Sequence, residues 1–154
     1  MQGLGVRKFA LHTMVASNEL NESYFVETAD IIFSLAADLH RELGVRFEFV
    51  NLGGGIGIPY RPEDKKPDIR TIARGIKAHY DRLIAANGLD PLMVCLECGR
   101  MITGPYGYLV TTAIHRKNIY RDYIGVDACM ANLMRPALRR LSPYYRAGQR
   151  ERSV

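Results

Sequence analysis

Apolar residues alternate between short continuous runs and long periodic stripes. Phe9-Ala10-Leu11-His12-Thr13-Met14-Val15 is a short run and predicts a buried strand. Phe25, Ala29, Ile32, Phe33, Leu35, Ala36 and Leu39 then recur with helical spacing. They predict a core-facing helix from about Tyr24 to Leu43, with Gly44 as its C-cap. Val45–Leu52 predicts a second strand and ends in Gly53-Gly54-Gly55-Ile56-Gly57-Ile58-Pro59. Arg61–Pro67 is polar and reads as a solvated loop. A second helix is predicted from about Asp68 to Ala86, with Asp68 as N-cap and Ile72, Ile76, Tyr80, Leu83 and Ile84 on one face. Asn87-Gly88 ends it, and Pro91–Leu96 predicts a third strand leading into Glu97-Cys98-Gly99-Arg100. After the turn Gly104-Pro105-Tyr106-Gly107, the extended runs Tyr108–Ile114 and Tyr120–Asp127 read as neighbouring strands. Strand, helix, strand, helix, strand is the order of an α/β chain with parallel pairing through crossovers. An open doubly wound sheet and a (β/α)8 barrel both satisfy it. A complete barrel takes roughly 250 residues, so this chain holds part of one at most.

Composition changes the picture little. The chain has 154 residues, 47% hydrophobic and 24% charged, as in a soluble globular domain. No apolar run approaches the roughly 20 residues of a membrane span, and no secretory signal stands at Met1-Gln2-Gly3-Leu4-Gly5. A cytoplasmic chain is the expectation, with no membrane partner. The net charge of +5 is concentrated at one end. Residues 139–154 hold Arg139, Arg140, Arg146, Arg150 and Arg152 against Glu151, which leaves the rest within one charge of neutral. A solvated basic arm is expected there, not a nucleic-acid-binding face. The three cysteines, Cys95, Cys98 and Cys129, are read as free thiols of a reducing compartment. Cys95 and Cys98 form a C-x-x-C, but no second pair and no histidine at ligand spacing completes a metal site.

The chemistry gathers at three strand ends, the place where α/β folds bind ligands. These are His12–Asn18, the glycine loop, and Glu97–Arg100. Glycines without a Cβ let backbone N–H groups close around an anion such as a phosphate. A dinucleotide site needs a third glycine opening straight into a helix. Here Ile58-Pro59-Tyr60 follows Gly57, and no Gly-Lys-Ser/Thr follows either. Glu97 can pair with a protonated ring nitrogen, and Arg100 can fork onto phosphate or carboxylate. The same residues also fit a local ion pair, and His12 also fits a plain strand-end histidine. His40, His79 and His115 read as structural.

In these segments, and in Gly125-Val126-Asp127-Ala128-Cys129-Met130-Ala131-Asn132-Leu133-Met134-Arg135-Pro136-Ala137-Leu138, the chain resembles the diaminopimelate decarboxylases. They belong to the pyridoxal-phosphate enzymes with an alanine-racemase-like barrel. The resemblance covers about residues 5–138. It implies a partial barrel domain over 1–138 and an aberrant, disordered tail over 139–154. It places His12, Ser17, Gly53, Gly54, Gly55, Glu97, Cys98, Gly99 and Arg100 around pyridoxal 5′-phosphate. Glu97 would sit on the pyridinium nitrogen, Arg100 would reach phosphate and substrate, and Arg135 would hold a substrate carboxylate. The implied reaction converts meso-diaminopimelate to L-lysine and CO2 in a homodimer. Ornithine, arginine or carboxynorspermidine decarboxylation is the alternative, and a non-catalytic phosphate-binding remnant is the alternative of another class. Two positions depart from the family: Cys98 replaces a proline, and Met14 replaces a histidine that stacks on the cofactor ring. The family's Schiff-base lysine falls before Met1, and Lys8, Lys65, Lys66, Lys77 and Lys117 lack its context. No catalytic lysine and no activity of the isolated chain are therefore expected. Relatives continue Arg-Pro-Ala-Leu with Tyr-Gly-Ala-Tyr-His-His-Ile-Thr, whereas Arg139-Arg140-Leu141-Ser142 follows here. A shifted reading frame over 139–154 accounts for that departure and for the jump in charge, and the nucleotide sequence checks it.

Overall fold

The computed structural model describes residues 2–134. Arg135 and the 139–154 tail lie outside the described residues. The chain divides into two compact units, with the boundary between Pro105 and Tyr106.

In the first unit, β1 (Phe9–His12), β2 (Phe47–Gly54) and β3 (Met93–Glu97) form a sheet in that order, all parallel. The crossovers carry α1 (Glu22–Leu43) and α2 (Ile69–Leu83), and a short α3 (Gly99–Thr103) follows β3. The helical stripes predicted from the sequence bury in the main, except that Leu35 of α1 stays 42% exposed. Ala29, Phe33 and Ala36 of α1 meet Val50 and Leu52 of β2, with Ile84 and Leu92 closing the cluster. Leu11, Val50 and Val94 are register partners, and all three join this core. Side chains alternate along a strand. The next rung, His12, Asn51 and Cys95, therefore projects from the face opposite the helices.

The helix ends follow local chemistry. Asn21 accepts the Ser23 N–H at 3.1 Å, and Gly44 closes α1 with φ 65°. Asp68 accepts the Arg70 N–H at 2.9 Å. The Thr71 hydroxyl and the Arg70 amide together hold the Asp68 carboxyl below its ordinary value. Regular helix stops at Leu83, earlier than the pattern suggests, because the chain tightens into a 3-10 turn over Ala85–Asn87 before Gly88.

The second unit contains an antiparallel ribbon of β4 (Ala113–Asn118) and β5 (Asp122–Val126). Its first strand starts later than the apolar run. Asp127 takes the Thr112 N–H at 2.8 Å on its side chain, replacing a ladder bond at the open end. The Thr111 hydroxyl and the Thr112 N–H hold the Asp127 carboxyl below its ordinary value. Among the described residues no helix is long and apolar enough to cross a membrane.

Candidate functional site

The ends of β1, β2 and β3 are stitched together by backbone and by small polar side chains. Thr13 N–H donates to the Asn51 carbonyl at 3.0 Å. Glu19 pairs with the glycine loop through Glu19 N–H to Gly55 O and Gly57 N–H to Glu19 O, both 2.9 Å. Asn18 adopts φ 58° and clamps Ile58, accepting its N–H at 3.0 Å and donating to its carbonyl at 3.3 Å.

The glycines are demanded by this close approach. A Cβ at Gly53 would overlap the Thr13 carbonyl oxygen, one at Gly54 the Glu97 carbonyl oxygen, and one at Gly55 the Ala16 carbonyl oxygen. Gly53 and Gly55 also have φ 71° and 91°, where a side chain is strained. Gly53 N–H donates to Asn51 Oδ1 at 2.8 Å, and Gly54 N–H lies 3.3 Å from the Met14 sulfur. A thioether is a weak acceptor, so the Gly54 N–H is held only loosely.

Glu97, at the end of β3, makes two polar contacts through one oxygen. Its Oε1 accepts from Asn51 Nδ2 at 2.7 Å and lies 3.5 Å from His12 Nε2. Among the described residues no hydrogen bond reaches Oε2. His12 and Glu97 are each about half exposed, so the carboxylate is open to a ligand. Arg100, the second residue of α3, lies over the Tyr60 ring at 5.9 Å, and its Nη1 is buried without a hydrogen-bond partner among the described residues.

Not every predicted residue joins this group. Ser17 is exposed on the β1 loop. Cys98 packs against the Phe25, Ile56 and Ile72 cluster, and burial pushes its thiol pKa up. Gly99 opens α3 with free space around its α-carbon. His40 bonds the Val45 carbonyl at 3.0 Å and His79 pairs with Asp30 at 2.9 Å, each on a helix. Asn51, Asn18 and Tyr60 were not singled out from the sequence. Asn51 carried a usable signal, because it is the polar residue at the end of a strand beside a glycine loop. Tyr60 carried none, since its partner lies forty positions away. A cavity of about 320 Å³ lies elsewhere, lined by His40, Arg41, Leu83 and Asn87, and contains none of His12, Asn51, Glu97 and Arg100. No three metal-ligating side chains cluster among the described residues.

Among the described residues, the turn from β3 into α3 thus presents a carboxylate oxygen that takes no hydrogen bond and, three residues on, a guanidinium nitrogen without an acceptor. Residues 3–104 match the family described as pyridoxal-dependent decarboxylase, pyridoxal binding domain, and the chain belongs to that family. It shares 38% identity over 134 residues with Protein TabA of Pseudomonas amygdali pv. tabaci, covering 87% of this chain and 31% of TabA. It is 37% identical over 135 residues to diaminopimelate decarboxylase of Methanothermobacter thermautotrophicus, covering 88% and 32% of the two chains. Among solved structures, diaminopimelate decarboxylase from M. jannaschii superposes with TM-score 0.76 at 28% identity, over 88% of this chain and 30% of that one. The Helicobacter pylori enzyme in complex with L-lysine gives 0.75 at 28% identity, over 88% and 32%. The chain thus carries part of the alanine-racemase-like barrel and spans about a third of the length of the relatives it matches. The cofactor this family implies is pyridoxal 5′-phosphate. The residues present fit it, because the orphaned Arg100 Nη1 suits an oxyanion and Glu97 suits a protonated ring nitrogen.

Proposed function

We propose that this chain supplies the phosphate and ring-nitrogen contacts of a pyridoxal-phosphate decarboxylase acting on meso-diaminopimelate, with release of L-lysine and CO2. The observation that supports it is the pairing, three residues apart, of a carboxylate with one uncommitted oxygen and a buried guanidinium nitrogen without a partner. When bound, the cofactor supplies an electron sink through its ring. Glu97 would keep the ring nitrogen protonated by accepting its N–H. Arg100, steadied by Tyr60, would hold the phosphate, helped by the Gly54 N–H once an oxyanion displaces the weaker Met14 sulfur. His12, 3.5 Å from Glu97, would border the ring, and Ser17 would contribute to the phosphate. Cys98 and Gly99 would contribute by setting the turn into α3. Arg135 would hold a substrate carboxylate.

Covalent attachment requires a lysine, and the lysines here are elsewhere. Lys8 pairs with Glu48 at 2.9 Å before β1 begins, and Lys77 pairs with Asp81 at 2.7 Å on α2. Catalysis therefore needs a lysine-bearing strand in addition to these 154 residues. The assembled enzyme would be a cytoplasmic homodimer with an amino-acid substrate and neither nucleic acid nor membrane as partner.

The test measures CO2 release from meso-diaminopimelate, ornithine, arginine and carboxynorspermidine. No release is expected from the chain alone. Release from diaminopimelate is expected when a second polypeptide supplies the lysine-bearing strand and the rest of the length of the relatives. Turnover by the chain alone would overturn the need for that lysine, and preference for another substrate would overturn the assignment.

A further inference from the structure

We infer that Asn51 is a positioning residue for Glu97, holding one carboxylate oxygen so that the other is left for a ring N–H. The inference rests on the proposed pairing of Glu97 with a protonated ring nitrogen. Asn51 and His12 are register partners, and alternation puts both on the sheet face that carries the Glu97 side chain. Asn51 uses both ends of its amide. Nδ2 donates to Glu97 Oε1 at 2.7 Å, and Oδ1 accepts the Gly53 N–H at 2.8 Å. Turning the amide over would set N–H against N–H and oxygen against oxygen, so one orientation is fixed.

Glu97 needs such a hold. Its side chain is 53% exposed and has three rotatable torsions, so in solvent it would spread over several rotamers. His12 Nε2, at 3.5 Å, is too far to fix it. The Asn51 bond is a hydrogen bond to a charged acceptor, the stronger kind. It also ties the carboxylate to the glycine turn, because the same amide bonds Gly53. One side chain thus links the carboxylate that would meet the ring N–H to the turn that leads into the glycine run.

The two roles of Asn51 separate by substitution. Asn51→Asp keeps an acceptor for the Gly53 N–H but loses the donor to Glu97. Asn51→Leu loses both. Three-bond couplings from the Glu97 side-chain carbons, measured in the full ¹³C-labelled chain without ligand, report its rotamers. A single rotamer is expected in the parent chain and averaged couplings in both variants. If Asn51→Leu fails to fold, Asn51→Asp decides. Averaged couplings in the parent, or unchanged couplings in a folded variant, would overturn the inference. The second measurement compares pyridoxamine 5′-phosphate with its analogue bearing carbon in place of the ring nitrogen. Asn51→Asp should weaken the first about 10-fold and the second less than about 2-fold, as for loss of one charge-assisted hydrogen bond. Freed rotamers with equal weakening of both ligands, or with no binding by the parent chain, support the positioning role and overturn the reading of what Glu97 pairs with.

Discussion

The most telling single group is Arg100. A buried guanidinium nitrogen without an acceptor costs about 1–3 kcal/mol, and Arg100 Nη1 has no acceptor among the described residues. Arg100→Met should therefore raise the melting temperature of the free chain, by about 1 kcal/mol of stability. It should also abolish any further rise on adding inorganic phosphate. Melts of parent and variant with and without phosphate check both halves, and a destabilised Arg100→Met would count against a waiting oxyanion site. The ring beneath it gives a graded companion test. Tyr60→Phe keeps a cation–π face, whereas Tyr60→Leu removes it. Phosphate affinity should hold in the first and fall several-fold in the second, read by calorimetry. Glu97 and Arg100 could be found in the sequence because local spacing at a strand end places them. Asn51, Asn18 and Tyr60 act across forty or more positions, a distance that single-sequence patterns do not encode.

At the scale of elements, caps and stripes account for most of what could be read in advance. The α1 stripe became a core because Ala29, Phe33 and Ala36 face β2, and both expected caps, Gly44 and Asp68, are in place. Two boundaries moved for local reasons: α2 gives way to a 3-10 turn over Ala85–Asn87, and Asp127 replaces a ladder bond at the mouth of the β4–β5 ribbon. Removing the α1 cap by Asn21→Ala should cost about 1 kcal/mol, measured by denaturant unfolding with an unchanged slope. Asp68 and Asp127 both have folded pKa values lowered by hydrogen bonds to the charged form. Such groups contribute stability that is present above the unfolded carboxylate pKa of about 3.9 and lost as pH falls through the lower folded value. Asp68→Asn and Asp127→Asn should therefore flatten the acid limb of a pH melt, and a limb unchanged in both would refute their share in it.

For the whole molecule, the open sheet governs behaviour. Among the described residues β1 and β3 each pair on one side only, and Met93 on β3 is 59% exposed. Unpaired strand edges template association. The chain should self-associate as concentration rises, and Met93→Lys should suppress this in sedimentation velocity without altering the helical circular dichroism signal. The parallel α/β order was visible in the alternation of strands and helices, which left a doubly wound sheet and a barrel both open until the family resemblance chose between them. The antiparallel ribbon beginning in the second unit was visible only as two adjacent strands, because nothing in an apolar run gives its direction.

The carbonyl oxygens standing where three Cβ atoms would be have a consequence for inheritance. Gly53, Gly54 and Gly55 answer to Thr13, Glu97 and Ala16, whose backbones must pass there whatever the protein binds. A descendant that had lost its chemistry but kept its sheet would still be forced to keep all three. Asn51, Glu97 and Arg100 are under no such compulsion and would drift once the ligand was gone. Lineages of this domain that still bind should therefore be told from those that only fold by these three polar positions, and the glycine run, for all its prominence, is a record of architecture.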